Sequence, residues 1–97
     1  MPSQFTSTAD ASPDSIKSGG KTTVSVSYES MVMTTLRLSS SPAFSISPTQ
    51  KSLPPSTNGI ARVEITVKRI APDAPSTCLV ILNAFSDERT CSLEVDP

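Results

Sequence analysis

Two stretches of this chain alternate apolar and polar residues at every second position, and no apolar stripe at helical spacing persists anywhere. In Thr22–Tyr28, Val24, Val26 and Tyr28 share one face while Thr23, Ser25 and Ser27 share the other. In Ile60–Arg69, the set Ala61, Val63, Ile65 and Val67 alternates with Arg62, Glu64, Thr66 and Lys68. Successive side chains of a strand point to opposite faces, so this pattern writes sheets with one dry side and one wet side. The nine prolines agree, because proline breaks helices and is confined to sheet edges and loops.

Weaker copies of the pattern fill the rest of the chain. Ser3–Ala9 reads as a strand around Phe5, and Ile16 returns to the core after a turn over Ala11–Ser15. Met31–Ser39 would turn Val32, Thr34, Leu36 and Leu38 inward, and Ala43–Ser47 would turn Phe44 and Ile46 inward. A connection through Leu53, Pro54 and Pro55 leads to Ile60–Arg69, and a proline-bracketed loop follows at Ala71–Pro75. Thr77–Phe85 would bury Cys78, Val80, Leu82 and Ala84; Thr90–Val95 would bury Cys91, Leu93 and Val95. With no linker or repeat inside 97 residues, the expectation is one all-β domain over residues 1–97, a seven-stranded immunoglobulin-like sandwich with Greek-key connections.

Composition excludes several classes of function. Eight Lys/Arg against nine Asp/Glu leave no basic excess for nucleic acid. Histidine is absent, which removes the commonest general base and metal ligand, and so leaves every serine without a histidine to activate it. No apolar run approaches the 18 or more residues of a spanning helix, and the opening Met1–Thr6 lacks the basic and apolar parts of a signal peptide.

Three motifs invite chemistry and fail on context. Gly19-Gly20-Lys21-Thr22 looks like a phosphate loop, but Ser15 stands where that motif has its first glycine. An alternating strand also follows in place of a helix, whose N-terminus would hold the phosphate. Ser18 and Lys21 have the Ser-x-x-Lys spacing of some acyl enzymes, yet two glycines entering a strand do not form the helical turn that pair needs. Only Asp87 and Glu88 are adjacent acids, and a solvated hairpin tip accounts for them without calcium. The expectation is a chain with no catalytic residues, no metal site and no cofactor.

The order of these segments resembles bacterial Ig-like repeats. The resemblance rests on Asp14–Gly20 followed by the Thr22–Tyr28 strand, on Leu36–Pro42, and on Phe44–Pro48 with the Pro54-Pro55 turn and Ala61–Val67. Val80–Ala84 and Cys91–Val95 then look like the closing hairpin. Major-sperm-protein-like and fibronectin-III-like sandwiches share much of this pattern. Antibody-type domains do not, since Thr22–Tyr28 has no cysteine and Met31–Ser39 no tryptophan. The resemblance implies a non-catalytic spacer or adhesion-type module of a longer surface, secreted or phage-associated protein. The alternatives are a carbohydrate- or peptide-binding module, although the sole tyrosine, Tyr28, faces inward, and a cytosolic major-sperm-protein-like interaction domain.

One feature departs from ordinary strand patterning. If Cys78, Val80, Leu82 and Ala84 face the core, then Leu79, Ile81 and Phe85 face away from it, as do Met31 and Met33 on a strand expected to be a neighbour. Five apolar residues on a face that should be wet predict a contact surface for a protein partner, a neighbouring domain or a second copy. The closing hairpin is predicted to turn at Asp87-Glu88 and to pair Ala84 with Cys91 and Val80 with Val95. That register holds Cys78 and Cys91 about 20 Å apart and keeps both reduced.

Overall fold

The computed structural model describes residues 3–97; Met1 and Pro2, the start of the segment read as unlike a signal peptide, lie outside the described residues. The described residues form ten strands and no helix: β1 (Gln4–Phe5), β2 (Asp10–Ser12), β3 (Ser15–Lys17), β4 (Gly20–Ser30), β5 (Thr34–Ser40), β6 (Phe44–Ser47), β7 (Gln50–Leu53), β8 (Ser56–Arg69), β9 (Thr77–Ala84) and β10 (Asp87–Asp96). They build two five-stranded sheets, one ordered β1-β4-β8-β6 with β2 also on β4, the other β3-β10-β9-β5-β7.

Most of the expected inward residues form the core; Val32 does not. Val24, Val26 and Tyr28 of β4 meet Ala61, Val63, Ile65 and Val67 of β8 in one sheet. Leu36, Leu38, Cys78, Val80, Leu82, Leu93 and Val95 face them from the other. Each large side chain removed from water in this way contributes about 1.5–3 kcal/mol before entropy is charged against it. Arg69 fastens one end of the sandwich: its guanidinium donates to the carbonyl of Val95 at 3.1 Å and to that of Ala74.

Ten strands replace the expected seven because two segments divide themselves between the sheets. The first pairs with β4 as β1 and β2, then crosses at Pro13 and runs parallel to β10 as β3. Likewise β6 lies on β8, the chain crosses at Pro48, and β7 lies on β5. Proline has no N–H to give a ladder, so both crossings fall where pairing must lapse. Ser12–Pro13 and Ser47–Pro48 are the two cis peptide bonds.

The closing hairpin differs from expectation in register. The turn has only two residues, Phe85 and Ser86, both at φ 60°, so Ala84 pairs with Asp87, Val80 with Cys91 and Cys78 with Leu93. Two positive-φ residues fit the twist of the flanking strands, as in a type I′ turn. β10 is thus displaced by four residues along β9 from the expected pairing, an even number that preserves the faces. Cys91 becomes a same-face diagonal neighbour of Cys78, far nearer than the predicted 20 Å or so, and both remain free thiols. Cys78 is buried and Cys91 half-buried, so the expectation of two buried thiols holds fully only for Cys78. Burial raises both thiol pKa values, and for Cys91 burial together with nearby Asp10 and Cys78 pushes the value up to about 11.

Gly59 sits where the next ring leaves no room: a Cβ there would lie 2.6 Å from the Tyr28 ring. That ring is held in place by its hydroxyl, which donates to the carbonyl of Pro54 at 2.7 Å. Gly59→Ala should therefore destabilise the fold by about 1–3 kcal/mol in urea unfolding. The thiols add a pH dependence. Between pH 9.0 and about 11 the unfolded chain gives up a proton that folded Cys91 keeps, so stability falls as pH rises. From about pH 8 to about pH 10.5 the wild-type urea midpoint should drop further than that of Cys91→Ala; equal drops would show that Cys91 is not the source.

Candidate functional site

Register places four features at one end of the sandwich. β4 ends there at Ser30, β5 starts at Thr34 opposite Leu53, Pro54 and Pro55 follow, and the Phe85-Ser86 turn caps β9 and β10. The base of this end is aromatic. Phe85 meets Phe5 edge-on with ring centroids 5.4 Å apart and stacks on Tyr28 at 6.0 Å. Arg89 lies over the Phe5 ring, its guanidinium carbon 5.6 Å from the ring centroid, and is held by Asp87 at 2.9 Å and the Ser7 carbonyl at 3.2 Å. Cation–π contact and ring packing together stiffen this base.

Above it stands the loop Met31-Val32-Met33, exposed by 65%, 60% and 65%. Its backbone is closed by Ser30, whose hydroxyl donates to the Val32 carbonyl at 2.6 Å and accepts from the Val32 N–H at 3.2 Å. A serine side chain bonding two residues onward favours a turn over a continued strand. This is why β5 begins at Thr34, and why Val32, expected inward, points to water.

The predicted apolar face consequently comes apart into three places. Met31 and Met33 are on the loop, and the outward residues of β5 are Thr35, Arg37 and Ser39. Leu79, 44% exposed, and half-buried Ile81 do face outward from β9, but they are framed by Ser39, Thr90 and Ser92 on the adjoining strands. Phe85 is not outward at all: its positive φ turns the ring down onto Phe5 and Tyr28. The structure therefore brings together Met31 and Met33, and adds Val32, which sequence reading placed in the core. The available signal was Ser30 itself, a turn-favouring residue ahead of the apolar triplet. Nothing in the sequence marks Arg89 as the partner of Phe5.

An open depression of about 450 Å³ lies beside the turn, bordered by Arg37, Asn83, Asp87 and Glu88. Among the described residues, no group of three or more His, Cys, Asp or Glu is placed to hold a metal ion.

Comparison with known proteins gives architecture alone. No protein-family model matches the chain, and no curated protein does. A solved structure described as that of WR4, a C. elegans MSP family member, is similar to it with a TM-score of 0.56 and 13% identity, covering 93% of this chain and 99% of that one. The likeness is one of fold. It supports the two-sheet sandwich, an Ig-like arrangement, and does not single out the bacterial Ig-like repeats.

The turn at this end separates backbone strain from packing. Ser86→Gly relieves a positive φ and should stabilise the protein by up to about 1 kcal/mol. Phe85→Asn suits the same backbone conformation yet removes the ring, so it should destabilise by about 1–3 kcal/mol in urea unfolding. A stabilising Phe85→Asn would show that the aromatic base contributes nothing.

Proposed function

We propose that this chain is a non-catalytic interaction module whose contact surface is the Met31-Val32-Met33 end of the sandwich. The observation that carries the reading is the exposure of three consecutive apolar side chains on a loop closed by Ser30, at the same end of the sandwich as the Phe5–Tyr28–Phe85 cluster. Methionine, unbranched and polarisable, adapts to irregular partner surfaces. Each buried side chain of this size is worth about 1.5–3 kcal/mol before association costs, which suits a modest protein–protein contact. Chain composition favours the same reading: without histidine, the abundant hydroxyls have no usual activating base.

A spacer role within a longer protein is the second reading, favoured by one observation. Gln4 pairs beside Glu29 at the loop end, whereas Asp96 pairs with Lys17 at the opposite end. Domains attached on either side would line up along the long axis, and one preceding Gln4 would itself meet Met31 and Met33.

The test is photo-crosslinking from position 32, with position 45 on a polar strand as the control, in cells that express the protein. Position 32 should give a discrete protein adduct that Met31→Ser with Met33→Ser abolishes, and position 45 should give none. The double variant should remain within about 0.5 kcal/mol of wild type in urea unfolding, because these side chains are already in water. Equal adducts from both positions, or an adduct indifferent to the double substitution, would overturn the proposal.

A further inference from the structure

The outer faces of the two sheets differ in charge. On the sheet built around β4 and β8, the outward residues include Lys21, Arg62, Glu64 and Lys68. On the opposite sheet the middle of the face is uncharged: Leu79 and Ile81 of β9 stand between Ser39 of β5 and Thr90 and Ser92 of β10. Leu79 is 44% exposed and Ile81 half-buried, so the ridge they form is open to water.

One step further along the strands, Arg37, Asn83 and Glu88 form a cross-strand row on the same face. Arg37 and Glu88 flank β9 at twice the strand spacing, about 9.6 Å between backbones. Both are exposed, and neither is ion-paired among the described residues, where Lys21–Glu64 and Arg89–Asp87 are the two pairs. The row thus has a positive end and a negative end, with an amide between them.

We propose that this face packs against the same face of a second copy, about a twofold axis running along β9. Such an axis exchanges the two sides of β9, so β5 of each copy lies over β10 of the other. Arg37 then meets the second copy's Glu88 and Glu88 meets its Arg37, while Leu79 and Ile81 pack on their own counterparts and Ser39 lies over Thr90. Other axes match less well. An axis along β5 opposes two Arg37 residues, and one along β10 opposes two Glu88 residues, which costs affinity. An axis across the strands at Ile81 lays Asn83 on Leu79 and leaves both charges without a partner. Twisted sheets pack face to face at about 30° to one another, an offset that the long Arg37 and Glu88 side chains can follow. The result is an uncharged centre with a charged rim, as in other interfaces. Five strands and the stretch Thr77–Asn83 give a face of about 20 Å by 20 Å, which covers about 400 Å² of each copy and suits a weak dimer. This face is on the flank of the sandwich and the Met31 loop is at its end, so the two proposals stand or fall apart.

Sedimentation equilibrium on the full chain tests it. Wild type should show a concentration-dependent monomer–dimer equilibrium. Arg37→Glu opposes acid to acid at both rim positions, and Glu88→Arg opposes base to base. Each should weaken dimerisation by about fivefold or more while leaving the urea midpoint of the monomer in place, because both side chains are exposed. An equimolar mixture of the two variants should regain the dimer, since the heterodimer restores an opposite-charge pair at both positions. Met31→Ser with Met33→Ser should leave dimerisation unaltered. A wild type that stays monomeric up to about 1 mM, a dimer indifferent to both charge reversals, or a mixture no better associated than either variant alone would each overturn the proposal.

Discussion

The long antiparallel ladder between β4 and β8 is what the remaining structure leans on. It sets Val24 against Val63, Val26 against Ala61 and Thr22 against Ile65, building the floor of the core from two strands. The other elements of this sheet are short pieces added to its flanks: β1 and β2 on β4, β6 on β8. The opposite sheet closes over this floor through Leu36, Leu82 and Leu93, all nearly or fully removed from water. Because nearly all of these contacts join residues distant in sequence, no fragment of the chain contains a core of its own. Such a topology is slow to assemble relative to helical domains of equal length.

The inward set was legible in the sequence because face depends only on parity. Cys91, Leu93 and Val95 face inward whether β10 pairs at the expected register or four residues away from it. For the same reason parity could not give the register. That was decided by the Phe85-Ser86 turn, where two residues without the usual Asn-Gly signature hold positive φ, the ring of Phe85 being packed against Phe5 and Tyr28. Tertiary packing overrode local turn preference. The strand count failed similarly: a segment's alternation does not say whether it keeps to one sheet, and both dividing segments change sheets at a proline.

The candidate site was half legible. Met31 and Met33 stood out as apolar residues on a face that should be wet, and they are exposed. Their location was lost because a single side-chain hydroxyl, that of Ser30, ended β4 and released Val32 from the core. Leu79 and Ile81 are the opposite case. Their outward direction follows from alternation, but the Arg37–Asn83–Glu88 row beside them depends on the registers of three strands, which only the assembled topology reveals.

The parallel pairing of β3 with β10 has a mechanical consequence. Tension between the region of Gln4 and that of Asp96 would draw β3 towards one end of the sandwich and β10 towards the other. The Glu94–Ser15, Val95–Ile16 and Asp96–Lys17 contacts would then be loaded together, in shear, instead of opening one after another. Ile16 and Val95, both buried at that seam, would have to slide past each other once β1 and β2 have left β4. Stretching along the 45 Å axis thus meets this seam in shear and not as a zipper.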